Sequence, residues 1–196
     1  MRGIIRGMAM EWVDELRAAL DREQSAAAAG TVPRVATLAT VDRSGAPHAR
    51  GVICRRVEPD GEMHFVSDAR SEKNLHVRGE PRVEAVFWLP AVQTQFRVAG
   101  AMRVTSVGQD EPLRRALWRE LTDQTRALFH WPTPGIAVAA DEVYPRAASA
   151  DVAPPATFEV LTLTPAQVER LNISMFPHRR RRWRADSSWS GVDVNP

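Results

Sequence analysis

The chain has 196 residues, 26 basic against 24 acidic for a formal charge of +2, with 44% hydrophobic and 26% charged side chains. That is chain enough for one domain, 1–196, with a substantial core, and the composition is ordinary for a soluble globular protein. No apolar run approaches a membrane span, MRGIIRGMAM is too short and weakly apolar for a secretory leader, and the single cysteine, Cys54, excludes an intrachain disulfide or a cysteine-rich metal site, so a cytoplasmic home is expected.

In chain order, residues 1–30 form an N-terminal helical segment in which Met8 and Met10 are alternative starts. Its helix, 10–28, is amphipathic, with Trp12, Leu16 and Leu20 spaced four apart, and Gly30 and Pro33 end it. Strands follow at 34–41 and 48–58. The tip PDGE (59–62) is a hairpin signal because Asp-Gly supplies the positive φ of a tight turn, and 63–68 returns. A short helix covers 71–79 with Ser71 as its N-cap. Two more strands, 82–89 and 94–106, precede a helix from Asp110 to His130 with Leu113, Leu117, Leu121 and Leu128 on one side, stopped by WPTPG. Residues 137–156, rich in Ala and Pro, read as a flexible loop. The tail gives strands at 158–164, 168–174, 179–185 and 189–194. Many short strands with helices at the start and middle predict a mostly β, α+β barrel with helical covers.

The chemistry concentrates in residues 50–73. Arginines crowd the strand that starts at Arg50, while Ser67, Arg70, Ser71 and Lys73 follow the next one. Lys73 is the one lysine among the 26 basic residues. Hydroxyls, guanidinium groups and a compact ammonium at the foot of a helix suit a phosphate. The plainer reading is a solvated, arginine-rich strand before an N-capped helix, and residue types alone leave both open. Elsewhere the signals are weak. The five histidines lack metal-ligand spacing, no nucleophile elbow is present, and neither a Walker A sequence nor G-x-G-x-x-G occurs. The run RRRRWR (179–184) has the residue types of a nucleic-acid surface. Strand alternation instead sends Arg180, Arg182 and Arg184 to one face and Arg179, Arg181 and Trp183 to the other, which argues against nucleic acid.

Several segments in order carry a family likeness: RGVICR from Arg50 to Arg55, FVSDARSEK from Phe65 to Lys73, Phe87-Trp88 in a strand opened by proline, QFRVAG from Gln95 to Gly100, and PHRRRRW from Pro177 to Trp183 with Trp189 and the terminal Asn-Pro. From Arg34 to Pro196 the chain resembles the pyridoxamine 5'-phosphate oxidase-like, FMN-binding split-barrel superfamily. The resemblance implies a six-stranded antiparallel split barrel with peripheral helices, forming a homodimer with two FMN molecules in clefts at the subunit interface. It implies that Arg50, Ser71 and Lys73 hold the FMN phosphate with Arg70 nearby, that Arg55 and Ser67 line the flavin, that Gln95 reaches the ring system, and that Arg180 and Trp183 contact or neighbour it. Arg50 and Arg55 are five apart, so a regular strand points them to opposite faces unless a bulge intervenes or backbone makes one contact.

The departures bear on the substrate. The true oxidases' arginine- and serine-rich segment after the middle helix is replaced by ALFHWPTPG (127–135). Their tail Arg-x-His motif falls on Phe176-Pro-His178, leaving His178 as a substrate-binding candidate, and Arg55 stands where a lysine is usual. The resemblance thus implies an FMN-dependent oxidoreductase acting on a small molecule by hydride transfer at flavin N5, with vitamin B6 specificity open. The alternatives are a non-catalytic FMN-binding or storage protein and a deazaflavin-dependent reductase on the same barrel, with which Lys73-Asn-Leu75 is compatible.

Overall fold

The computed structural model describes residues 10–27 and 34–196; the expected helix breakers Gly30 and Pro33, residue 28 and the alternative start Met8 lie outside the described residues. The helix α1 (Glu11–Ala26) buries Trp12, Leu16 and Leu20, the row expected from their spacing. Eight strands follow, β1 (Val35–Val41), β2 (Pro47–Val57), β3 (Met63–Asp68), β4 (Arg82–Leu89), β5 (Thr94–Thr105), β6 (Phe158–Asn172), β7 (Arg179–Arg184) and β8 (Val192–Val194). The helix α2 (Glu72–Gly79) separates β3 from β4, and α3 (Glu111–Glu120) and α4 (Asp123–Ala127) lie between β5 and β6. All strand pairs are antiparallel in the order β3-β2-β1-β4-β5-β6-β7-β8, and β3 also pairs with β6. That last pairing closes six strands into a barrel, the expected architecture, and leaves β7 and β8 as an extension.

Period-two alternation fills the barrel. Ala36 and Leu38 of β1, Ala85 and Phe87 of β4, and Phe96 and Val98 of β5 are buried in one cluster with the apolar face of α1. The Asp60-Gly61 tip behaves as its sequence requires. Gly61 has φ +87°, and a Cβ there would lie 2.5 Å from the Trp12 ring, so the turn is also a seat for α1. No helix among the described residues is long and apolar enough to cross a membrane.

Three expectations are corrected. The strands expected at 158–164 and 168–174 are one strand, β6, running through Pro165. Ala99 pairs with Gln167 but Gly100 pairs with Pro165, so Ala166 is an extra residue on β6. This bulge accommodates a residue without an N–H, and Gly100 makes room for it, since a Cβ there would lie 2.2 Å from the Thr164 carbonyl oxygen. Before the bulge the odd residues Leu161 and Leu163 join the barrel core; after it the even residue Val168 does.

The helix expected over 110–130 breaks in two. Leu121 is extended, and the Thr122 hydroxyl accepts from the Thr125 N–H to cap α4, after which 128–130 form a 3-10 turn. Leu117 and Leu121 pack with Trp118, Phe129, Phe158 and Val160 in a second cluster, whereas Leu128 is 44% exposed. The strand expected at 189–194 shrinks to β8, because Ser188 and Trp189 have positive φ and turn the Trp189 ring onto Trp12, at 5.4 Å between centroids.

Candidate functional site

A cavity of about 780 Å³ opens on the outer face of β1 and β2 where they approach the start of α2. One side is formed by Gly51, Ile53, Arg55, Ser67, Asp68 and Lys73. The opposite wall is the stretch after α4, with Leu128, Phe129, Trp131, Pro132, Pro134 and Tyr144. Residues 137–156 carry no regular secondary structure, as expected of a loop, yet Val138, Glu142 and Tyr144 belong to this wall. Trp131 meets Tyr144 edge-on at 5.2 Å and donates from its indole nitrogen to the Pro145 carbonyl at 2.8 Å, which ties the two ends of the wall together.

Among the described residues Arg50, Arg55 and Lys73 make no ion pair, whereas the neighbouring Arg56 and Arg70 are each held by a carboxylate. The Arg50 guanidinium donates to the Leu38 and His48 carbonyls and, at 2.7 Å, to the Thr40 hydroxyl. Lys73 donates to the Ser71 hydroxyl at 2.9 Å, and the buried Nε of Arg55 has no partner. Burial, and then the neighbouring Arg50 charge, pull the Lys73 ammonium below the ordinary lysine value against a smaller opposite pull from Asp68. Burial likewise lowers Arg50 and Arg55. Half-buried cations without counter-charge are costly unless an anion joins them.

The five-residue spacing of Arg50 and Arg55 resolves in the strand geometry. Cys54 pairs with Phe65 and Arg56 with His64, so Arg55 is an extra residue in β2. It lines the cavity with Gly51 and Ile53 on the outer face. Arg50, opposite Leu38, has the inward parity and reaches the site from the end of the barrel, beside Thr40 and Lys73. Cys54 between them faces the core, where burial pushes its thiol up to about 12, leaving it unreactive.

Ser67 lines the cavity and Ser71 adjoins it through Lys73. Ser71 occupies the N-cap position of α2, but its hydroxyl does not cap; it donates to the Asp68 carbonyl at 2.7 Å. Arg70 is neutralised by Asp68, through contacts of 2.9 and 2.7 Å, and donates to the Trp131 carbonyl at 2.9 Å, so it braces the wall against the start of α2.

The remaining expected residues lie elsewhere. Gln95 and Arg180 flank Leu171 in one cross-strand row on β5, β6 and β7. Arg180 and Arg182 converge on Glu169, with Arg97 beside it. Burial alone would raise the Glu169 carboxyl, but the hydrogen bonds from Arg180 and Arg182 hold it below its usual value. Arg181 and Trp183 take the other face, as alternation predicts. Trp183 is fully buried in the core, with its indole N–H on Glu11 at 2.9 Å, and it packs away from the cavity. His178 is exposed, 3.0 Å from the Met175 carbonyl.

Sequence reasoning missed the wall residues Trp131 and Tyr144, and it missed Asn74 and Glu159 beneath the serines. Asn74 is fully buried and Glu159 nearly so. No local sequence signal marks them, because only the register of β3 and β6 sets Glu159 opposite Ser67.

A closed six-stranded antiparallel barrel with a cation-lined cavity beside its second helix defines an FMN-binding-type split barrel. The family model described as "Pyridoxamine 5'-phosphate oxidase, FMN-binding domain" matches residues 9–106, half of the chain. The structure of a pyridoxamine 5'-phosphate oxidase-related, FMN binding protein from Nostoc punctiforme PCC 73102 is 30% identical and aligns over 97% of this chain and 100% of that one, with a TM-score of 0.85. The chain belongs to the pyridoxamine 5'-phosphate oxidase-like family. A pyridoxine/pyridoxamine 5'-phosphate oxidase of Chromohalobacter salexigens is 37% identical over 70 residues, 36% of this chain and 32% of that protein. The chain spans about a third to a half of the length of the curated relatives it matches. PhzG from Burkholderia lata 383, solved in complex with tetrahydrophenazine-1-carboxylic acid, shares the fold at 17% identity and a TM-score of 0.75, over 95% of this chain and 93% of that one.

Proposed function

We propose that the chain binds FMN in this cavity and acts as a flavin-dependent oxidoreductase from a cleft completed by a second copy of itself. The observation that carries the reading is that Arg55 and Lys73, neither of them ion-paired among the described residues, line a largely apolar cavity, with the Arg50 charge beside Lys73. A phosphate ester offers these cations the anion they lack. Ile53, Val66, Leu128 and Phe129 give a flat ring system an apolar bed. When bound, FMN supplies hydride transfer at its N5 position. The chain's part is to hold the phosphate with Lys73 and Arg50, to keep the positive Arg55 in the cavity lining, and to exclude water with the Trp131–Tyr144 wall.

Family membership supports a dimer, and so does the placement of Gln95 and Arg180. Both face away from their own cavity, on a row that Trp88, 48% exposed, extends through its pairing with Gln95. Residues expected at the flavin then reach it from the partner. Among the described residues lining the cavity, the cations are Arg55 and Lys73, and the far wall adds the acid Glu142. That lining favours a substrate without a second phosphate. We expect little turnover of pyridoxamine or pyridoxine 5'-phosphate by FMN-loaded protein, and brisk turnover would overturn this part of the reading.

The deciding experiment is the visible spectrum of the purified protein, with mass identification of whatever denaturation releases. A flavin spectrum and a released FMN are expected. A colourless protein that cannot be reconstituted with FMN would end the proposal. Titration with FMN and the deazaflavin side by side separates the two cofactors, and a bound flavin that no common reductant reduces would favour a storage role.

A further inference from the structure

Beneath the polar end of the cavity lies a chain of buried polar groups that the proposed function leaves unused. Asn74, fully buried, donates from its amide nitrogen to Glu159 at 2.5 Å. The other carboxylate oxygen of Glu159 takes Arg78 at 2.5 Å and the Ser106 hydroxyl at 2.6 Å. A carboxylate held by an arginine only accepts, so the NH₂ of Asn74 must face it and the amide carbonyl must face the other way. There the carbonyl accepts from the Ser67 hydroxyl at 2.5 Å and lies 3.2 Å from that of Ser71.

This fixes the direction of the Ser67 hydroxyl, and it leaves the Ser71 hydroxyl two carbonyl acceptors, of Asp68 and Asn74, that draw its hydrogen away from Lys73. A serine has one hydrogen to give. That of Ser67 goes to Asn74, and that of Ser71 goes to the Asp68 carbonyl or Asn74. The Ser71 oxygen is left as an acceptor, and it receives the Lys73 ammonium. Two of the three Lys73 N–H groups then remain for a ligand. The serines are therefore not anion donors in this arrangement; they aim the lysine.

We infer that Asn74 and Glu159 are positioning residues that orient Ser67 and Ser71 and thereby hold Lys73 toward an anionic ligand. The inference rests on the phosphate reading of the cavity and adds to it a polarity relay running from Arg78 through Glu159, Asn74 and Ser71 to Lys73. A network anchored on fully buried Asn74 and nearly buried Glu159 is stiff, because each of its bonds restrains the next.

The test compares FMN with riboflavin, which lacks the phosphate, as ligands of the apo protein by fluorescence quenching. Asn74→Ala should weaken FMN by about tenfold while leaving riboflavin within about twofold, because only the phosphate contact depends on the aim of Lys73. Glu159→Gln, which keeps the side-chain shape but lets the Asn74 amide turn over, should shift the same ratio in the same direction by a smaller factor. It decides the matter alone if Asn74→Ala does not fold. A general loosening would weaken both flavins equally and would overturn the inference. So would variants that keep the wild-type preference for FMN. A wild-type protein that binds the two flavins alike would overturn the phosphate reading itself, and the relay with it.

Discussion

At the scale of single residues, Lys73 carries the most weight. Replacing it with alanine removes a charge-assisted contact worth about 1.5–3 kcal/mol, so FMN affinity measured by titration should fall roughly 10- to 150-fold. Its environment also sets a pH dependence. Burial and Arg50 lower the Lys73 ammonium, and the protonated form is the one that attracts a phosphate. FMN affinity should therefore be full near neutrality and begin to fall as pH rises through the lowered Lys73 value, before the ordinary lysine value of about 10.4 is reached. Riboflavin titrated over the same range should show no such loss. The singular chemistry of this residue was legible in the sequence as the one lysine of an arginine-rich chain beside two serines. The roles of those serines were not, because the direction of a hydroxyl depends on Asn74 and Glu159. Glu159 comes from a strand 85 residues further along the chain than Asn74, and only the register of that strand brings the two together.

Among the elements, local chemistry was read well wherever it alone decides the structure. The α1 row, the Asp-Gly tip and the alternation in β7 all depend on near neighbours in sequence. The hairpin tip can be tested through Gly61→Ala, which imposes a strained φ and drives a Cβ into the Trp12 ring. It should cost about 1–3 kcal/mol in denaturant unfolding without changing the FMN-to-riboflavin preference, since the turn lies away from the cavity lining. The misread elements are those where tertiary structure overrides a local signal. Pro165 signals the end of a strand, but a bulge opposite Gly100 carries β6 past it. Leu128 continues a helical row by spacing, but Thr122 has already started a new helix and turned the row toward the cavity. The Ala- and Pro-rich stretch after WPTPG has no periodicity to read, and its contribution to the cavity wall depends on the meeting of Trp131 with Tyr144.

For the whole molecule, the proposal of a shared cleft makes a prediction that no single protomer can satisfy. Lys73→Ala and Arg180→Ala should each impair FMN binding, because one lies at the cavity and the other on the outer row that the proposal assigns to the partner's cleft. If both copies contribute to each cleft, dissociating and mixing equal amounts of the two variants should restore about a quarter of the sites, the fraction in which both contributing residues are wild type. No recovery in a mixture shown to contain heterodimers would mean that each cavity works alone. The extra residue Ala166 has a bearing on this arrangement. Glu159 and Glu169 are ten positions apart on β6, and an uninterrupted strand would turn both toward the same side of the sheet. With Ala166 inserted between them, one carboxylate lies beneath Asn74 and the start of α2 and the other faces outward, gathering Arg180 and Arg182. A single strand would thus hold up both halves of the proposed two-chain site, and shortening it by that one alanine would leave only one half facing the right way.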